Sequence, residues 1–198
     1  MINSSGIPAV VPAGRLADRD QPVLPLPGGL ELRPWRLDDA DADALHTAGQ
    51  DPAISRWNLF TVAGRDEARA RIERLHARRR AETGAIWAVA PTGGAAVGLA
   101  GLNDVDLAGG TAGVVYWVLP EGRGRGIAVA ATRRLSGWAL DELGLHRLVL
   151  CHSTANPASC RVAEKAGYTA EGTHRSALLH ADGWHDQHVH ARVAGDPA

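Results

Sequence analysis

Along this 198-residue chain the spacing of apolar positions changes period several times, and each change marks a predicted element. From Leu30, "LELRPW" alternates as a half-buried strand does, and "DDADADALHTAGQ" (38–50) then reads as a helix whose first turn is acidic, as the helix dipole favours. A second helix is expected over "DEARARIERLHARRRAE" (66–82), with Ala68, Ile72 and Leu75 at helical spacing and a solvated basic end at 78–80. "AIWAVA" (85–90), "AAVGLAGL" (95–102) and "AGVVYWVL" (112–119) read as strands joined by short glycine-bearing turns, an antiparallel meander. In 127–143, Ile127, Ala131, Leu135 and Trp138 share one helical face, and Gly144 suits the left-handed position that closes a helix. A strand at "HRLVLCHS" (146–153), a helix from Asn156 to Ala166 and two last strands, 168–180 and 184–193, complete a mixed α/β order with no internal repeat.

Residues 1–28 differ from the rest. Pro8, Pro12, Pro22, Pro25 and Pro27 disfavour helix and ladder pairing, so this stretch reads as an extended arm preceding one domain at 29–198. Its apolar Val10, Val11, Val23, Leu24 and Leu26 suit a contact across a neighbouring subunit, which makes a homodimer compatible with the chain. With 45% hydrophobic residues the chain is long enough for one core. Lys+Arg of 21 against Asp+Glu of 22 gives a net charge of −1, so neither nucleic acid nor a membrane surface is expected as partner. Two cysteines, Cys151 and Cys160, with no CxxC pair and no long apolar run, fit a reduced, cytoplasmic protein.

Local chemistry concentrates in "GRGRGIA" (122–128), immediately before the helix at 127–143. A helix N-terminus offers unpaired N–H groups and partial positive charge to an anion. Gly122, Gly124 and Gly126 let the backbone approach closely, and Arg123 and Arg125 add donors suited to phosphate. The dinucleotide pattern GxGxxG would need glycine at Ile127 or Val129, and the P-loop's lysine and hydroxyl are absent. Taken alone, the loop is equally compatible with a glycine turn before an ordinary core helix.

It does not stand alone. Arg123–Ala128 fits [QR]-x-x-G-x-[GA], follows "YWVLPE", and precedes "NPASCRVAEKAGY" by about 30 residues. In this order the motifs resemble the GNAT superfamily of N-acetyltransferases, and within it the ribosomal-protein alanine and serine N-acetyltransferase branch, over residues 30–195 and most strongly over 113–172. The resemblance implies a mostly antiparallel sheet flanked by helices and split between its fourth and fifth strands. It also implies acetyl-coenzyme A as cosubstrate and direct transfer to a primary amine, either a protein N-terminus or a small molecule; a non-catalytic acyl-coenzyme A sensor or assembly module is the alternative.

Carried over, the backbone N–H groups of Arg123, Gly124, Arg125, Gly126, Ile127 and Ala128 would hold the pyrophosphate, and Val118 and Leu119 would pair with the pantetheine arm. Asn156 would hydrogen-bond that arm or simply cap its helix. Ser159 matches the serine proposed in that branch to protonate the departing thiolate, where other members place a tyrosine four positions on, here Ala163. The glutamate proposed there as base corresponds to Leu178, which leaves a carboxylate, a histidine or an ordered water to take the amine's proton; His152, with His174 and His180, flanks the expected cleft as candidate, each equally open to a structural or solvated role. Both cysteines are read as structural, Cys151 at a buried strand position, and Tyr116 with Trp117 as support for the central strand. His188 and His190 share one strand face and make two ligands at best, so no metal is expected.

Overall fold

A computed structural model describes residues 6–196, so the first five residues of the predicted arm lie outside it. The chain forms β1 (Leu24–Leu26), β2 (Leu30–Pro34), α1 (Asp39–Gln50), α2 (Pro52–Asn58), α3 (Arg65–Arg80), β3 (Gly84–Pro91), β4 (Gly98–Asp106) and β5 (Thr111–Val118). It continues through α4 (Ile127–Gly137), β6 (Arg147–Ser153), α5 (Pro157–Lys165), β7 (Thr169–His180) and β8 (Gly183–Val193). One sheet runs β1-β2-β3-β4-β5-β6-β8-β7, antiparallel throughout except for β5 and β6.

Helices cover both faces of this sheet, which is why β3 is apolar on both sides. Ala85, Trp87 and Val89 enter the core under α4, α5 and the N-terminal segment, while Ile86 and Ala88 enter the core under α1, α2 and α3. The α4 face is the one its spacing predicts, with Ile127, Ala131, Leu135 and Trp138 all buried and Trp138 edge-on to Trp87 at 5.0 Å. Regular α-helix stops at Gly137, however, and 138–143 winds on as a π-helix before Gly144 closes it at φ +91°.

Two other elements depart from expectation. Leu24–Leu26 does pair, antiparallel to β2, and Val11, Leu16, Leu24 and Leu26 are buried in the chain's own core. Glu82, at φ +57° just past α3, fastens this segment by accepting the N–H groups of Gly14, Leu16 and Ala17. The helix α2 is additional. Asp51 caps it, accepting from the Ile54 N–H at 2.8 Å, and Pro52 opens it, a sequence signal readable in advance. Buried at the base of α1, Asp41 receives a bidentate pair from Arg33, both contacts 2.7 Å. Burial alone would raise the Asp41 pKa, but Arg33 and the N–H groups of Arg36 and Ala96 outweigh it and hold the carboxyl below its ordinary value. No helix among the described residues is long and apolar enough to cross a membrane.

Candidate active site

The two parallel strands bond for only three residue pairs, Thr111↔Arg147, Ala112↔Leu148 and Gly113↔Val149. Beyond them β5 and β6 diverge. Because β1 adds a strand at the front, this is the split expected between the fourth and fifth strands. The opening is a cavity of about 680 Å³ walled by Val114–Val118 and Leu150–Ser153, with α2, the loop before α4 and the start of α5 around it.

On one side lies the N-terminus of α4. Asp38, Asp51 and Asn156 cap α1, α2 and α5, but no side chain caps α4. Its first helical bond runs from the Ala130 N–H to Gly126, and the N–H groups from Gly124 to Val129 have no acceptor among the described residues. Gly124 and Gly126 adopt φ +75° and +74°, and a Cβ on either would meet nothing within 4 Å, so these glycines serve backbone conformation and not packing. Gly122 is the opposite case, since a Cβ there would come within 2.7 Å of Val118.

Arg123 reaches across the opening. Its Nε donates to the Val118 carbonyl at 3.1 Å and its guanidinium pairs with Asp51 at 2.7 Å, so its charge is locally matched. Leu119 lies behind the wall, its N–H donated to Val97, and Arg125 is exposed outside the cavity lining. Arg161 and Lys165, one turn apart on α5, do line the cavity, and neither was singled out from the sequence.

Asn156 caps α5 through Oδ1, which accepts from the Ser159 N–H at 3.1 Å, and this fixes its NH₂ as a donor in the cavity lining. The Ser159 hydroxyl lies 2.5 Å from the Tyr116 hydroxyl. Burial pushes the Tyr116 pKa up to about 12, against the opposing hydrogen bond from Ser159, so the phenol stays protonated and can donate to Ser159 Oγ. The sequence reading had given Tyr116 only a supporting role.

The opposite side is rich in histidine. His152 is buried, with Nδ1 on the Ser153 carbonyl at 2.9 Å and Nε2 facing His190 Nε2 at 3.2 Å, and its burial pushes the pKa down. Next to it, Ser153 Oγ lies 2.7 Å from His185 Nδ1, and His185 Nε2 lies 2.9 Å from Asp182. With Nε2–H donated to the carboxylate, His185 Nδ1 is the acceptor of the serine proton. Trp57 packs edge-on to His185 and His180, and Leu178, brought round by a bulge in β7 between His174 and Leu178, lines the cavity. Cys151 is exposed, contrary to the expected buried position, because Leu148, Leu150 and His152 take the inward face of β6. Burial and the nearby Glu164 push the Cys160 thiol up, opposing any thiolate character at the start of α5.

The sequence matches the Acetyltransferase (GNAT) domain family over residues 29–169. The chain belongs to the GNAT acetyltransferase family. It is 30% identical over 139 residues, 69% of its own length and 75% of the relative's, to YdaF of Bacillus subtilis (strain 168), provisionally named a ribosomal N-acetyltransferase. Its fold matches RimL, a ribosomal L7/L12 α-N-protein acetyltransferase solved with coenzyme A, with TM-score 0.78 at 18% identity over 89% of this chain and all of that one. It likewise matches the ribosomal-protein-S5-alanine acetyltransferase of Vibrio fischeri, with TM-score 0.76 at 17% identity over 89% and 98%.

As a GNAT enzyme, the protein is an N-acetyltransferase of the ribosomal-protein acetyltransferase-like branch. Val118, Arg123, Gly124, Gly126, Ile127, Ala128, Asn156, Ser159 and His152 converge on one cavity. The residues that sequence reasoning did not single out are Trp57, Ser153, Arg161, Lys165, Asp182 and His185. No local motif marks them, and Asp182 and His185 lie beyond the matched family region.

Proposed function

We propose that the cleft binds acetyl-coenzyme A along β5 and transfers its acetyl group directly to a primary amine entering from the β7–β8 side. The observation that carries this reading is the uncapped N-terminus of α4, with its row of N–H groups lacking acceptors, beside the opened strands. An anion there satisfies those donors and the helix dipole together, and the backbone of Gly124–Ala128 is the pyrophosphate cradle; the Arg123 N–H, expected to join it, is already donated to the Pro120 carbonyl at 3.2 Å. Arg161 and Lys165 supply cations for the remaining phosphate charge. For the pantetheine arm to pair at Val118, Arg123 must release that carbonyl, while the Asn156 NH₂ is ready as a donor.

The cosubstrate supplies an activated acyl carbon and a thiolate leaving group. The attacking amine forms the C–N bond as the carbonyl electrons move to oxygen; collapse of that adduct breaks the C–S bond. Ser159 donates a hydrogen bond that stabilises the departing thiolate, which takes its proton from solvent, and Tyr116 keeps the serine proton directed outward by donating to Oγ. The amine's proton passes to Ser153 as the serine proton moves to His185, whose imidazolium Asp182 stabilises. We assign the base to His185 in preference to His152, because both nitrogens of His152 are engaged inside the protein.

Among amines, a protein N-terminal α-amine is the first to test. The names of YdaF and RimL support it, and with a pKa of about 7.7–8.0 it is far cheaper to present neutral than a lysine near 10.4. Acetyl-coenzyme A should raise the melting temperature of the purified protein, and coenzyme A release should follow addition of peptides with free N-termini. Stabilisation without transfer across α-amines, lysine-type amines and small amines would turn the reading into an acyl-coenzyme A binding module. Absence of stabilisation would remove both.

A further inference from the structure

We propose that His152, Cys160, His188 and His190 form a closed site for a divalent cation of the zinc type, at the joint of β6, β8 and the first turn of α5. Sequence spacing offered only His188 and His190, two apart on β8. The sheet register sets His152 directly opposite His188, and α5 carries Cys160 over the same face. One ligand atom from each of the four residues lies within 4.8 Å of all the others. Tetrahedral zinc with bonds of about 2.0–2.3 Å needs separations of roughly 3.3–3.8 Å, so rotamer adjustments of about an ångström close the site.

The local hydrogen bonding favours an ion. His152 donates Nδ1–H to the Ser153 carbonyl at 2.9 Å, which turns the Nε2 lone pair inward, the outer support that metal-bound imidazoles use. That lone pair meets another imidazole nitrogen, His190 Nε2, at 3.2 Å, and Cys160 Sγ stands 4.0 Å from the same atom. His190 is 2% exposed, so its Nε2 faces these protein groups with water largely excluded. Glu164 Oε1, 3.6 Å from the sulfur, adds negative charge, while the partly exposed Cys160 and His188 leave a way in.

Three imidazoles and a thiol, with no oxygen ligand, select a borderline cation over magnesium or calcium. Binding expels the Cys160 thiol proton to solvent, and the thiolate leaves one net positive charge on the site beside Glu164. Four protein ligands make such a site structural, clamping to the sheet the helix turn that bears Asn156 and Ser159. The inference rests on side-chain placement and not on the reading of the cleft, so either can fail without the other.

The test is titration of the untagged, reduced, chelator-stripped chain with Co²⁺ alone. One equivalent should produce a thiolate-to-cobalt charge-transfer band with the intense visible absorption of tetrahedral cobalt, and Zn²⁺ should bleach both. Cys160→Ser should lose the charge-transfer band, His188→Gln should weaken binding about tenfold or more, and His146→Gln, at an exposed position, should change neither. Zn²⁺ should raise the melting temperature of the unmodified chain more than that of Cys160→Ser. No band at one equivalent, or Cys160→Ser and His188→Gln binding Co²⁺ as the unmodified chain does, would overturn the proposal.

Discussion

The proposed donor side of the cleft is assembled from two short stretches, Gly122–Ala128, a loop running into the N-terminus of α4, and Asn156–Lys165, the capped helix α5. On the proposed acceptor side, Trp57, Ser153, Asp182 and His185 come from α2, the end of β6, the β7–β8 turn and β8. The first arrangement works through groups placed by local conformation, the free N–H groups before α4 and side chains carried by one short helix. The second works through side chains that meet only once the sheet has formed. Both ends of the donor stretch fall within the matched family region, whereas Asp182 and His185 fall beyond residue 169. A shared donor with a variable acceptor is what such a division favours.

Four measurements sharpen or break this contrast. The largest effect on transfer is expected from the acceptor side: His185→Gln should lower kcat by about 10²–10⁴-fold, the usual worth of a positioned base, with KM for acetyl-coenzyme A unchanged. An unchanged kcat would return the proton to another route. Next comes the donor side, where Gly126→Val forces a β-branched residue to φ +74°. The strain is on the order of 1–2 kcal/mol, and the added branch also stands where the phosphate approaches, so KM for acetyl-coenzyme A should rise by about 10–100-fold while stabilisation by the ligand disappears. A variant still stabilised by the ligand would break the assignment of the cradle.

Tyr116→Phe should cost less, about 3–10-fold in kcat, the worth of one net hydrogen bond. Because burial pushes the Tyr116 pKa up to about 12, the pH–rate profile of the unmodified enzyme should show no loss from phenol ionisation below that range. The smallest effect on transfer is expected outside the cleft, at the Arg33–Asp41 pair. Asp41 has its pKa lowered in the folded state, so its contribution to stability is present above the unfolded value of 3.8 and is lost as pH falls through the lower folded value. Asp41→Asn should lower stability by about 3–5 kcal/mol and flatten this acid limb in denaturation measurements, with KM for acetyl-coenzyme A unchanged.

The same contrast explains what was legible in the sequence. Period-two and helical spacing located the strands from β2 onward and the apolar face of α4, because burial on one face is a local pattern. The glycine loop and the Asn156 segment were legible as short contiguous motifs whose order resembles the GNAT pattern. The pairing of Tyr116 with Ser159 was not, since it joins residues 43 positions apart across the split. Nor was Ser153–His185–Asp182, which depends on the β6–β8 register. Composition misled at the arm: its prolines argued against pairing, yet the alternation of Leu24 and Leu26 about Pro25 buries two leucines and makes an edge strand, where proline is tolerated. The change of 138–143 to a π-helix leaves no mark in apolar spacing, since Trp138, Leu140 and Leu143 are buried in either winding.

The early parting of β5 and β6 also bears on solubility. A strand edge with free amide and carbonyl groups is adhesive, and proteins usually blunt it at the rim of a sheet. Here an edge lies in the middle of the sheet, recessed between α2 and α5 and crossed by the Arg123 side chain. A strand from another molecule, with its own neighbours attached, is too wide to follow it inward. A single slender chain of amides can enter, so a recess that would admit such a ligand is a poor template for a strand from another copy.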